Sequence, residues 1–348
     1  MIDCDIHNAP QSPELVRKFL PDRWKTYHKK YGGRNYTGSY YPRAVPNAAR
    51  HDAWPPSGLP PGSDLDFMRA QLLDEWGFEY GILNCLAGGQ LNLEFGAAYA
   101  RALNDWQVAE FTDPEPRLKA SILVPFEAPD LAAEEIDRVA PHDGFVQVLS
   151  TVRTSEPMGR RKYWPIYEAA SRNGVPIGVH FGGAGGGPIT GSGWPSHYIE
   201  DHGGMPQSFQ PQITSLIYEG VFERYPHLKF VMIEGGFGFM PPLMWRLDRA
   251  WELMGDEIPN CEQRPSDTIR KHIWLTTQPV EEPDKPEHFY QLLDQMDMDD
   301  RLMFATDYPH WDFDAPDLCF PPGMDPAVKQ GIMSENARLL YGLSPTQD

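Results

Sequence analysis

The chain has 348 residues, of which 41% are hydrophobic and 12% aromatic, enough to bury a large core and to exclude wholesale disorder. With 30 basic against 49 acidic residues the formal charge is −19, a field that repels phosphate backbones and anionic membrane surfaces and argues against a nucleic-acid partner. Cys4, Cys85, Cys261 and Cys319 are far apart with no CxxC, so neither a disulfide framework nor a thiolate zinc site is expected. The start MIDCDIHNAP has no basic n-region or apolar h-region, and no run approaches the roughly 18 apolar residues of a membrane span. A cytoplasmic protein with no membrane partner is the expectation.

Eight short apolar, β-branched runs alternate with amphipathic segments. The predicted strands are Ile2–His7, Tyr80–Cys85, Lys119–Val124, Phe145–Leu149, Val175–Phe181, Lys229–Glu234, Ile273–Thr276 and Leu302–Ala305. The first predicted helix opens on Ser63-x-x-Asp66, which resembles a capping box, carries Leu65, Met68, Leu72 and Trp76 on one stripe, and stops at Gly77. Another starts with Pro165 in its first turn and ends at Gly174. A third places Ile213, Leu216, Ile217 and Val221 at helical spacing before Pro226, and a fourth carries Leu243, Leu247, Ala250 and Trp251. The last begins after Asp325-Pro326 and ends at Gly342. Eight strand-then-helix units with right-handed crossovers close into a (β/α)8 barrel, the TIM-barrel α/β class, spanning residues 1–348 as one unit; an open doubly wound sheet is the alternative.

Two connections exceed plain turns and fall on the face where barrel enzymes keep their active sites. Residues 8–62 are rich in aromatic and basic side chains (Tyr27, Tyr31, Tyr36, Tyr40, Trp54), and residues 182–210 open with Gly182-Gly183-Ala184-Gly185-Gly186-Gly187. The glycine run lacks GxGxxG spacing and leads to Pro188 and Trp194 rather than to a helix start, so it reads as a substrate-covering loop and not as a phosphate cradle.

The chemistry-bearing residues stand at strand ends. Strand one finishes Asp5-Ile6-His7, an alternation that points Asp5 and His7 to one side; strand five ends at His180, strand six at Glu234-Gly235-Gly236, and strand eight runs into Thr306-Asp307-Tyr308-Pro309-His310-Trp311. Any one of these histidines, taken alone, reads more often as a hydrogen-bonded core residue. Converging on one barrel mouth, two imidazoles and several carboxylates suit a divalent metal with an open position for water or substrate.

Asp5-x-His7, His180 and Thr306-Asp307-Tyr308-Pro309-His310 resemble, in that order, the metal-ligand set of the amidohydrolase superfamily. The resemblance is nearest the amidohydrolase-related family, with its aminocarboxymuconate-semialdehyde decarboxylase and γ-resorcylate decarboxylase types. Supporting phrases are Gly220-Val221-Phe222-Glu223-Arg224-Tyr225-Pro226, Trp245-Arg246-Leu247-Asp248, Thr276-Thr277-Gln278-Pro279 and Asn336-Ala337-Arg338-Leu339-Leu340-Tyr341-Gly342.

The resemblance implies a metal-dependent enzyme with Asp5, His7, His180 and Asp307 as ligands of one divalent ion, Zn2+ or Mn2+ first and Fe2+ next. Strand four, Phe145 to Ser150, holds no Lys or Glu to bridge a second ion, and Glu234 stands where much of the family has His. The proton-handling residues expected are Glu234, His310 and Asp307; the substrate-facing ones are His202, Trp194, Trp311 and Arg246, with Phe237 as a further aromatic wall. The main expectation is hydrolysis of a small carbonyl or carboxylate compound, aromatic ones included, by metal-activated water. The alternatives are non-oxidative decarboxylation or hydration, and last a non-enzymatic scaffold. The resemblance also implies a homodimer or higher homo-oligomer.

Overall fold

The computed structural model describes residues 1–32, 41–183 and 187–345; Tyr36 and Tyr40, and Ala184-Gly185-Gly186 of the glycine run, lie outside them. Eight parallel strands pair in sequence order: β1 (Ile2–Ile6), β2 (Tyr80–Leu83), β3 (Leu118–Leu123), β4 (Phe145–Thr151), β5 (Ile177–His180), β6 (Phe230–Ile233), β7 (Ile273–Thr276) and β8 (Leu302–Met303). The ring closes through Cys4 N donating to Phe304 O and His7 N donating to Tyr308 O, which turns the sheet into a barrel and excludes the open doubly wound alternative. Every strand lies within a residue or two of its predicted run, because a strand buried on both faces is predominantly apolar.

Helix ends show where local chemistry sufficed. Gly77, Gly174 and Gly342 all take positive φ, the left-handed turn that stops a helix. The helix predicted from Ser63 is capped instead by the next residue: Asp64 accepts from Phe67 N at 3.1 Å, while the Ser63 hydroxyl donates to Pro60 O at 2.7 Å. Val221 is not part of the preceding helix Met205–Tyr218, since Gly220 at φ 74 breaks it and a short helix Val221–Arg224 follows. In helix Met240–Met254 the buried stripe includes Leu243, Met244, Leu247 and Asp248, whereas Ala250 faces outward.

The two long connections are partly helical, with Pro13–Arg17 and Asp22–Tyr31 in the first and Tyr198–Gly203 in the second. Residues 45–50 of the first fold back over the end of β8, where Trp311 N donates to Ala48 O and Arg50 N to Pro309 O. All four cysteines are free and buried. Among the described residues no helix is long and apolar enough to cross a membrane.

His272, 2% exposed at the entry to β7, donates from Nδ1 to Leu228 O at 2.8 Å, and burial pulls its pKa down to about 4. A group held neutral in the fold stabilises it fully above its unfolded pKa of 6.5, and that contribution is lost as pH falls from there toward 4. Between pH 7 and pH 5 the wild type should therefore lose about 2 kcal/mol that a folded His272→Gln variant does not lose. Urea unfolding midpoints at the two pH values check this, and equal losses would refute it.

Candidate metal centre and active site

The C-terminal ends of β1, β5 and β8 bring Asp5, His7, His180 and Asp307 together, all buried, with one potential ligand atom of each within 4.8 Å of the others. His7 Nε2 lies 2.7 Å from Asp307 Oδ1 and 3.5 Å from Asp5 Oδ1, and His180 Nε2 lies 3.4 Å from Asp5 Oδ2. Both imidazoles are oriented from behind. His7 Nδ1 donates to Asn84 O at 2.7 Å and His180 Nδ1 to Phe181 O at 2.5 Å. With Nδ1 so engaged, each ring turns Nε2 toward the carboxylates.

That arrangement sets lone pairs against lone pairs in a buried place. Asp5 Oδ2 and His180 Nε2 have no hydrogen-bond partner among the described residues. Burial opposes charge on His7, yet Asp5 and Asp307 prevail and push its pKa up to about 9, a measure of how strongly the cluster attracts positive charge. Burial likewise opposes ionisation of Asp307, but His310 and His7 hold its carboxyl well below the usual range. The two nitrogen and two oxygen donors, with orphaned atoms facing one point, fit one divalent metal ion.

Glu234 joins this group at its edge, with Oε2 3.2 Å from His180 Nε2. Burial first, then the Asp307 and Asp5 carboxylates, push its pKa well above the ordinary value. Glu234 and Asp307 both take positive φ, 59° and 60°, a region that costs a side-chain-bearing residue free energy and is tolerated where a site needs the geometry. The glycines after Glu234 do not open space for a ligand. A Cβ on Gly235 would fall 2.6 Å from the Phe209 ring, and one on Gly236 would fall 2.9 Å from Glu281 Oε1, so core side chains fill that room.

The other sequence-selected residues divide into two groups. His310 Nδ1 lies 2.8 and 2.9 Å from the two oxygens of Asp307, and its ring stacks on His7 with centroids 4.3 Å apart, so it holds Asp307 from outside the cluster. His202 Nε2 lies 2.7 Å from Asp312 Oδ2 and its ring is 5.1 Å from that of Trp311; Gln278 donates to the same Asp312 oxygen at 2.8 Å. His202 and Trp311 are thus neighbours, joined through their ring contact.

Trp194 borders a separate cavity of about 600 Å³ with Arg153, Asp201 and Gln212, and no member of the Asp5 cluster lines it. Phe237 is fully buried and packs edge-on against Phe289, so it is core and not an aromatic wall. Arg246 is exposed on helix Met240–Met254, because the buried stripe takes the opposite face. Within this chain it reaches neither the cluster nor Glu234.

Sequence reasoning missed the residues that support the ligands. Asp3 accepts from Thr306 Oγ1 at 2.5 Å, Thr306 N at 3.0 Å and Asp5 N at 3.1 Å, tying β1 to the end of β8. Its signal was available, since Asp3 continues the alternation of Asp5 and His7. Asn84 donates to Asp5 Oδ1 at 2.9 Å and accepts from Ser121 and Gln147, which links β1 to β4 through the barrel interior. Nothing in its neighbourhood of the sequence marks Asn84 except its position just past β2. Arg153, partly buried and paired with Asp201 at 2.6 Å, joins the end of β4 to the second long connection.

Comparison with known proteins agrees with this geometry. The γ-resorcylate decarboxylase of Polaromonas sp. (strain JS666 / ATCC BAA-500) is 25% identical over 304 residues, 81% of this chain and 88% of that one. Among solved structures, a dihydroxybenzoic acid decarboxylase from Polaromonas sp. JS666 with bound manganese and 2-nitroresorcinol superposes with a TM-score of 0.67 at 21% identity, covering 98% and 96% of the two chains. A 5-carboxyvanillate decarboxylase from Novosphingobium aromaticivorans, complexed with manganese and 4-hydroxy-3-methoxy-5-nitrobenzoic acid, superposes with a TM-score of 0.72 at 17% identity, covering 98% and 96%. The model of the amidohydrolase family matches residues 2–343, nearly the whole length. With its eight-stranded barrel and its strand-end donors, the chain belongs to the amidohydrolase family.

Proposed function

We propose that this enzyme is a metal-dependent, non-oxidative decarboxylase of a small aromatic carboxylic acid, with Asp5, His7, His180 and Asp307 holding the ion. The observation that carries the choice of reaction is Glu234, a carboxyl buried beside two carboxylates and driven toward its protonated form. Hydrolysis needs a base to take a proton from water, whereas decarboxylation needs an acid to give one to carbon. A buried carboxyl whose pKa burial and its carboxylate neighbours raise suits the second task. The names of the relatives, decarboxylases of γ-resorcylate and of 5-carboxyvanillate, favour the same alternative over hydrolysis.

A divalent ion in the cluster, manganese being the first to test, supplies positive charge that orients an anionic substrate. Glu234 gives its proton to the ring carbon that bears the carboxylate. The bond between that carbon and the carboxylate then breaks, its electron pair restores the aromatic ring, and carbon dioxide leaves. Glu234 recovers a proton from solvent. His310 keeps Asp307 in place, and His202 and Trp311 bound the space beside it.

Isotopes separate the routes. Manganese-loaded enzyme in deuterated water with γ-resorcylate or 5-carboxyvanillate should release carbon dioxide and leave one deuterium on the carbon that lost the carboxylate. Absence of carbon dioxide from a panel of hydroxybenzoates, with solvent oxygen-18 appearing in the product of an ester, amide or lactone, would restore the hydrolase reading.

A further inference from the structure

The parallel strands give the barrel a second end, opposite the ligand cluster, and a cavity of about 360 Å³ lies there. Lys229 directly precedes β6, Trp274 is the second residue of β7, and Arg301 directly precedes β8; all three line it. His227 lines it too, and no carboxylate does, in a chain whose net charge is −19.

These groups are short of partners. Lys229 Nζ donates to Lys271 O at 2.6 Å and has no carboxylate partner among the described residues. Burial, Arg301 and Lys271 together lower its pKa, as expected for an ammonium lacking a counter-charge. Trp274 is 3% exposed, and its indole N–H finds no acceptor among the described residues. Arg301 spends Nη1 on Asp300 and Nε on Arg270 O, leaving Nη2 free, with its guanidinium 4.9 Å from the centre of the Trp274 ring. The remaining wall is mainly apolar, formed by Ala170, Val175, Leu228 and Leu340.

A half-buried ammonium with no carboxylate partner among the described residues gives the cavity a positive charge for an anion to meet, and the buried Trp274 donor without an acceptor adds a cost that an anion offsets. We propose that this cavity is a binding site for a small organic monoanion, a carboxylate on an apolar body, separate from the reaction at the other end of the barrel. The carboxylate meets Lys229 and Arg301, and the apolar body covers the leucines.

Titration calorimetry of the manganese-loaded enzyme with octanoate at low ionic strength tests it. A binding event besides any at the metal centre is expected, weakened about tenfold or more by Lys229→Met, which removes a charge-assisted hydrogen bond, and by Leu340→Trp, which fills the cavity. It should persist in His180→Ala, and acetate should bind at least about tenfold more weakly than octanoate, since it has almost no apolar body to bury. No heat, equal affinity in folded Leu340→Trp, loss of binding in His180→Ala, or acetate matching octanoate would each overturn the proposal. Should Lys229→Met fail to fold by circular dichroism, Leu340→Trp decides alone.

Discussion

Replacing His180 by Ala or Asp307 by Asn should each strip the enzyme of its divalent ion and of its activity while leaving the barrel folded. Each change removes one of four donors, and even an outer partner of a ligand is worth about 10–100-fold in metal affinity, so a direct donor is worth more. Asn is the informative replacement at Asp307 because the backbone there has φ 60, which Asn tolerates and most side chains do not. Loss of structure is not expected, since the residues at this end of the strands bear on chemistry more than on the core. Both variants should also lose the stabilisation that metal binding gives the wild type. Elemental analysis with thermal melting in added Mn2+ checks the result, and full metal in both variants would remove these residues from the coordination sphere.

Glu234→Gln should cut turnover by about 10²–10⁴, the usual contribution of a general acid, without changing metal content. Glutamine keeps the size and hydrogen-bonding shape of a protonated carboxyl but has no proton to give. Thermal stability should hold or rise, because a carboxyl crowded by Asp5 and Asp307 is replaced by a neutral group. A structural carboxylate, ion-paired and needed for the fold, would give the reverse pattern of a lower melting temperature and an intact rate. In this chain Arg246 is not that partner, since it is exposed on the outer face of its helix. Metal content, melting temperature and rate measured on this one variant decide, and an unchanged rate would move the acid role to His310 or His202.

The order of strands and the identities of Asp5, His7, His180 and Asp307 were legible in the amino-acid sequence, because both rest on short-range rules. The strands, two to seven residues long, are predominantly apolar where both faces are buried, and several polar residues ending such runs at one mouth point together to a metal site. Alternation alone sets Asp5 and His7 on one side. Helix ends were legible where a glycine takes positive φ, and slipped by a residue where Ser63 and Asp64 both suit a cap.

Contacts between segments distant in sequence were decided only by the tertiary structure. Arg246 and Phe237 looked suited to a substrate wall, yet which face of a helix or turn meets the core depends on packing against elements far away, and packing sent one outward and the other inside. Asn84 supports Asp5 across 79 residues and Asp3 holds Thr306 across 303, pairings that no local pattern encodes. By itself the sequence determined which residue types reach the mouth of the barrel, since strand ends and alternation are properties of a few consecutive residues. Only the closed barrel decided how those residues face one another, that Glu234 sits among carboxylates, and that Lys229, Trp274 and Arg301 share a cavity at the far end, because burial and distance are set by the whole fold.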